Sequence, residues 1–235
     1  MSYLTWISDK DLKAAVKKMA ESVISARQKA ENDISRNVID PFSLFFNISL
    51  LSKDVRTWET NEVTRQAEKG LTNAMGHFHQ EIISRVEGWF DPLNAQDFDL
   101  INRDKRIIVE MKNKYNTLNA EGQKNCFLKL LSAVNKKNSS FYNYTAYCVN
   151  IVPKQVGVST FRVKDNASDT YLENDKVKLI DGHSFYALAT GSETALHDLL
   201  VKLPTVLHDL KLAQINADSM AYIEKVFNET YSTKR

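Results

Sequence analysis

Asp97-Phe98-Asp99-Leu100-Ile101-Asn102-Arg103-Asp104-Lys105-Arg106-Ile107-Ile108-Val109-Glu110-Met111-Lys112 reads as a β-hairpin with acids and a lysine on one face and apolar side chains on the other. Strand side chains alternate faces with period two. Ile107, Val109 and Met111 therefore point one way, and Ile108, Glu110, Lys112 and Lys114 point the other. With an even number of loop residues, Phe98 and Leu100 join the apolar face, while Asp97 and Asp99 join Glu110 and Lys112. A turn centred on Asp104-Lys105 sets Asp99 across from Glu110; one centred on Arg103-Asp104 sets Asp97 there. Either register brings two carboxylates and an ammonium within cross-strand reach.

Like charges side by side on neighbouring strands are destabilising, and one carboxylate must hold its proton or find a cation. A divalent metal resolves the conflict. Carboxylate oxygens suit magnesium, which keeps several waters and takes one or two protein carboxylates together with substrate phosphate oxygens. Lys112 is then placed to stabilise charge on a phosphate or to help activate a metal-bound water. The chemistry that fits is metal-assisted phosphodiester hydrolysis. The competing reading is an ordinary solvated hairpin whose ion pairs are worth little. Against it stands Arg106-Ile107-Ile108-Val109-Glu110-Met111, a nearly continuous apolar run that stops at the acid. Such runs belong to strands buried on both faces, which puts Glu110 at the edge of a core.

The rest of the chain bounds the alternatives. At 235 residues it is long enough for one large domain or for two small ones, and we expect 1–235 to form one, with an N-terminal helical portion (1–75), a catalytic core (76–190) and C-terminal helices (191–235). Only 7 glycines and 4 prolines argue against long linkers. No run of about 18 apolar residues spans a membrane, and Met1-Ser2-Tyr3-Leu4-Thr5-Trp6 lacks the basic-then-apolar pattern of a secretory signal. Cys126 and Cys148 lack metal-ligand spacing and read as buried, reduced thiols of a cytoplasmic protein. A net charge of +2 neither requires nor forbids nucleic acid, because phosphate contacts depend on where Lys and Arg lie and not on their sum.

Periodicity predicts helices, then a sheet, then helices. Ser8 caps a first helix running to about residue 34, with Leu12, Val16, Met19 and Val23 on one face. Asp40-Pro41 opens a very apolar helix through Phe42, Phe45, Phe46, Leu50 and Leu51, predicted to be buried on most sides or pressed against a second subunit. A third helix carries Ala67, Leu71, Ala74, Phe78, Ile82 and Val86 and ends near Gly88; on it His77 and Glu81 share a face, either as a metal pair or as plain polar surface. Residues 119–136 read as a helix striped by Cys126, Phe127, Leu130, Leu131 and Val134, and 144–152 as a strand. A helix linking two such strands predicts a right-handed parallel crossover. Asp181-Gly182 predicts a hairpin turn within 178–186, Ser192 a helix cap, and 216–229 a last helix. The fold class expected is α/β: a central mixed β-sheet flanked by helices, with a helical N-terminal portion.

Asp99 followed a strand later by Glu110-Met111-Lys112 resembles the PD-(D/E)xK nuclease signature. The continuation Glu110-Met111-Lys112-Asn113-Lys114-Tyr115-Asn116-Thr117 is similar to type II restriction endonucleases, in particular the group that cuts GGNCC-like sites. The likeness runs from about Gly76 to Gly191 and takes in Glu87-Gly88-Trp89-Phe90 and Asp181-Gly182-His183-Ser184-Phe185-Tyr186; it departs from the signature where Phe98, not proline, precedes Asp99. The resemblance implies Mg2+-dependent hydrolysis of double-stranded DNA at a short, specific, palindromic sequence. It implies Asp99, Glu110 and the Met111 backbone carbonyl as metal ligands and Lys112 as the catalytic cation. Asp99 is favoured over Asp97 because Leu100-Ile101 resembles the strand that follows the family's aspartate; Asp97 and Glu81 rank second. Asn113, Lys114, Asn116 and Thr117, directly after the motif, are the candidate DNA contacts. A symmetric site implies a homodimer, and the family implies a DNA methyltransferase acting on the same sequence in a bacterial or archaeal cytoplasm. Two rivals stand beside this reading: a repair or junction-resolving nuclease of the same fold, and a non-enzymatic helical interaction module.

Overall fold

The hairpin forms in the register that sets Asp99 across from Glu110. Strands β1 (Leu100–Asn102) and β2 (Ile107–Lys114) run antiparallel, with Leu100 opposite Val109, Ile101 opposite Ile108 and Asn102 opposite Ile107. The loop between them holds Arg103, Asp104, Lys105 and Arg106 and is centred on Asp104-Lys105. The Asn102 side-chain oxygen accepts from the Lys105 amide at 2.8 Å, and Arg106 takes the left-handed conformation (φ 55°) that turns the chain into β2.

The computed structural model describes residues 2–33, 38–92, 98–165 and 168–232. Two compact units emerge: Val16–Phe78, and Met1–Ala15 together with His79–Arg235. The first holds most of helices α1 (Asp9–Asp33) and α3 (Val55–Ser84), with α2 (Pro41–Asn47) and a π-helical turn (Ile48–Ser52) between them. Asp40 caps α2 by accepting from the Phe42 amide at 3.0 Å, and Pro41 occupies the first helical position, where its missing N–H costs nothing. Gly70 on α3 meets α1 so closely that a Cβ there would lie 2.4 Å from that of Ala26. The apolar segment itself is not buried within the chain: Phe42 is 77%, Leu50 70% and Leu51 75% exposed. Two turns of helix present apolar groups around their circumference, and a unit of this size covers too little of it. The expectation of burial on most sides therefore fails for the isolated chain.

The larger unit is built on a five-stranded mixed sheet in the order β1-β2-β3-β7-β4, with β3 (Thr145–Val152), β4 (Val158–Thr160) and β7 (Val177–Asp181). β2, β3 and β7 are parallel to one another, while β1 and β4 run antiparallel at the edges. A separate ribbon pairs β5 (Val163–Asp165) with β6 (Thr170–Leu172). The predicted crossover from β2 to β3 is made by α4 (Ala120–Asn135), capped by Asn119, whose side chain accepts from the Gly122 amide at 2.8 Å. Phe127, Leu130 and Val134 of α4 pack with Ile108, Ala146, Cys148 and Val177 from the sheet in one core cluster. Ile108 and Val109, neighbours pointing to opposite faces, are both fully buried, so β2 lies between two cores as its apolar run predicts.

Helices α5 (Gly182–Thr190), α6 (Ala195–Asp209) and α7 (Ala217–Tyr231) complete the unit. Asp181-Gly182 does not make a hairpin. Asp181 caps α5, accepting from the Ser184 amide at 3.0 Å, and the predicted return strand is helical. A Cβ on Gly182 would sit 2.7 Å from the Ile151 carbonyl, so glycine serves close approach to β3 here and not a tight turn. Thr194, not Ser192, takes the cap position of α6; the Ser192 carbonyl accepts from Ala195 instead. The three-residue strands β4, β5 and β6 are too short to show a period and were not expected.

Candidate active site

Glu110 sits where the apolar run of β2 ends, with Asp99 in the position opposite it just before β1. The Asp99 carboxylate accepts from the Met111 amide at 2.6 Å, and its backbone amide donates to the Val109 carbonyl at 2.9 Å. Gln80 on α3 donates to the Asp99 carbonyl at 3.2 Å, which fixes the strand from its other side. Each oxygen of Glu110 takes one ammonium: Lys112 at 2.8 Å on Oε1 and Lys129 at 2.8 Å on Oε2. Lys112 stands two residues on from Glu110, on the same face. Lys129 comes from α4, where its ammonium also lies 5.2 Å from the centroid of the Phe98 ring.

The electrostatics divide the two acids. Burial pushes Glu110 up, but the hydrogen bonds from Lys112 and Lys129 outweigh it and hold the carboxyl below its ordinary range. Burial and then the nearby Glu110 charge push Asp99 up, and the Met111 amide and the two lysines offset that only in part. Burial opposes the Lys112 ammonium, yet the bond to Glu110 raises its pKa overall. One carboxylate is thus a firm anion, while its neighbour gains from any further positive charge. Two hard oxygen donors in directly opposed positions suit a hard divalent cation, and the Met111 carbonyl on the same strand is a third donor of that class. Among the described residues, no three His, Cys, Asp or Glu side chains gather about one point, His77 and Glu81 included.

The structure brings Asp99, Glu110 and Lys112 together. Asp97 lies outside the described residues. Glu81 accepts from Arg85 at 2.8 Å, and its helix neighbour Gln80 is the one that reaches the hairpin. Asn113 and Lys114 finish β2; Thr117 closes the turn after it, its hydroxyl donating to the Lys114 carbonyl at 2.7 Å, with Asn116 exposed beside it.

Sequence reading missed Lys129 and Gln80. The available signal for Lys129 was its place three residues after Cys126 on the buried stripe of α4. The Cys126 thiol approaches that of Cys148 at 3.9 Å, and Cys148 is the register partner of Glu110 on β3.

Comparison with known proteins adds an independent line. The family model described as Eco47II restriction endonuclease matches residues 4–211. The chain is similar to the type II restriction enzyme Eco47II of Escherichia coli, at 38% identity over 207 residues, covering 87% of this chain and 86% of that protein. It is also similar to the type II restriction enzyme Sau96I of Staphylococcus aureus, at 27% identity over 214 residues, covering 88% of this chain and 80% of that protein.

Proposed function

The chain belongs to the Eco47II restriction endonuclease family, and on that premise we propose that it hydrolyses phosphodiester bonds of double-stranded DNA, with magnesium, at a short palindromic GGNCC-like sequence. The observation that carries the site assignment is the register of the hairpin, which opposes Asp99 to Glu110 with Lys112 on the Glu110 carboxylate. Asp99, Glu110 and the Met111 carbonyl would hold the metal, which when bound supplies an acidified water and charge neutralisation at the phosphate. Glu110, kept anionic by its two lysines, is ready to ligate at neutral pH. Lys112, partly buried and tethered to Glu110, orients the attacking water or meets the charge that develops on the phosphate. Lys129 balances the second Glu110 oxygen, and Gln80 with the Met111 amide fixes Asp99. Glu81 is the next acid to examine, because Gln80 beside it already touches the hairpin.

Asn113, Lys114, Asn116 and Thr117 leave the catalytic strand directly and are the proposed first DNA contacts, Lys114 and Thr117 toward backbone oxygens and the asparagines toward bases. A twofold site calls for a twofold protein, and the exposed apolar run from Phe42 to Leu51 is the proposed dimer contact. A methyltransferase of the same specificity would protect the host DNA. No described helix is long and apolar enough to cross a membrane.

The test is digestion of plasmid and phage DNA with Mg2+ by the wild-type chain beside Glu110→Ala and Lys112→Ala. Wild type should give discrete, reproducible fragments whose ends share one short palindrome, and each variant should lose about a hundred- to a thousandfold in rate. Nicking confined to branched DNA would instead establish junction resolution, and undiminished cleavage by both variants would remove these residues from the chemistry.

A further inference from the structure

Three positions line up across the parallel strands at their C-terminal ends: Lys112 on β2 pairs with Asn150 on β3, which pairs with Asp181 on β7. The two outer side chains are engaged. Lys112 holds Glu110, and Asp181 accepts from the Gly157 amide at 2.6 Å and the Ser184 amide at 3.0 Å. The Asn150 side chain, between them and half-buried, has no hydrogen-bond partner among the described residues. It opens into a cavity of about 330 Å³ whose floor is Cys148, Asn150 and Leu179 of the sheet and whose wall includes Gln123 near the start of α4. Asn116 and Lys154 stand on its exposed side, also without hydrogen-bond partners, while Tyr115 and Phe161 supply aromatic surface.

We infer that this cavity receives a nucleotide of the substrate DNA within two positions of the cleaved phosphate, with Asn150 hydrogen-bonded to its base. The inference rests on the nuclease reading of Glu110 and Lys112. Four features favour a nucleotide over other occupants. The cavity begins one strand, about 4.8 Å, from Lys112, so whatever presents a phosphate to that lysine passes its mouth. Carboxamides offer a donor and an acceptor side by side, the pattern that matches a base edge. Tyr115 gives stacking surface for a ring, and the edge of the buried Phe161 adds an apolar contact. Lys154, with no ion-pair partner among the described residues, is a cation at the rim for the flanking phosphate. The volume sits at the low end of the range for small-ligand sites, which suits one nucleotide turned out of the duplex and excludes a paired segment. Asn150 is thereby a specificity-determining residue, reading DNA from the strand beside the catalytic one.

The experiment is a cycle between protein and DNA. Wild type, Asn150→Ala and Lys154→Ala are each assayed on the intact cognate duplex and on duplexes with a single abasic residue at each position within two of the cut. On intact DNA, Asn150→Ala should lose about five- to 150-fold in kcat/KM. At one position, removing the base should cost wild type the same factor and cost Asn150→Ala nothing more. Lys154→Ala, at an exposed site where folding is not at stake, should reduce the slope of log affinity against log salt by about one, with Ca2+ replacing Mg2+. Wild-type kinetics for Asn150→Ala, or a deficit that persists on every abasic duplex, would overturn the inference, as would an unchanged salt slope for Lys154→Ala if Asn150→Ala does not fold. Glu110→Ala on the same duplexes separates the two readings. If it still cleaves, the catalytic assignment fails; if it is inert and Asn150→Ala matches wild type, only the cavity assignment fails.

Discussion

Two apolar runs of this chain meet opposite fates. Ile107 to Val109 passes between two cores and vanishes from solvent, while Phe42 to Leu51 stays on the surface with side chains as large. The difference lies in geometry and not in composition. A central strand can be covered from both faces by elements that the same chain supplies, as Ile108 is by Phe127, Leu130 and Val134 of α4. A two-turn helix that is apolar all round has no such pair of neighbours, and its coverage must come from elsewhere. An apolar run therefore announces a demand for burial without naming the molecule that meets it.

The largest test of the contrast is stability. Ile108→Ala should cost about 2–5 kcal/mol in urea unfolding, whereas Phe45→Ala, at a concentration where the chain is monomeric, should stay within about 0.5 kcal/mol. Sedimentation at higher concentration should show Phe45→Ala shifting mass from dimer toward monomer. Equal stability losses would erase the contrast, and an unchanged dimer would move the subunit contact off this segment.

Acid should strain one unit more than the other. His79 is fully buried, hydrogen-bonded through Nδ1 to the Tyr186 hydroxyl at 2.8 Å, and burial lowers its pKa to about 4. The unfolded chain protonates this histidine near pH 6.5, so stability is intact above that value and declines as the pH falls from about 6.5 to about 4. The shift corresponds to about 3 kcal/mol. In Val16–Phe78 the only buried polar side chain among the described residues is Ser52, which does not titrate. Replacing His79 with Gln should flatten the acid limb of thermal stability in the larger unit; an unaltered limb would assign the titration to another group.

The smallest effect belongs to the end of the buried run. Lys129→Met leaves Lys112 on Glu110 and removes one of two compensating cations, so cleavage should fall by about ten- to a hundredfold. Lys129→Arg should recover most of it, and the thermal midpoint should move little, because the lysine is substantially exposed. A loss as deep as that of Lys112→Ala would place Lys129 on the substrate itself.

What the sequence made legible follows the same division. Alternation along β1 and β2 is a local property, so it revealed the faces, and the choice between Asp97 and Asp99 reduced to where the turn is centred. The crossover through α4 was readable because strand, capped helix and strand follow one another in order. Lys129 was not, since its partnership with Glu110 exists only after α4 is laid on the sheet. Asp181-Gly182 misled because the pair serves equally as a tight turn and as a helix cap followed by a residue without a side chain, and only the neighbouring Ile151 carbonyl distinguishes them. The row from Lys112 through Asn150 to Asp181 is likewise a product of strand order, which no single stretch of sequence contains.

The paired thiols of Cys126 and Cys148 give the molecule a clock. Both are buried where α4 lies on β3, one turn from Lys129 and one strand from Glu110. A thiol reagent too large to enter the cavity beside Asn150 reaches them only in the moments when that helix lifts away, so the pace of labelling counts those openings. Bound DNA that spans α4 and the sheet should slow the count, and the interval between openings would then measure how long α4 stays seated on β3 while DNA is held.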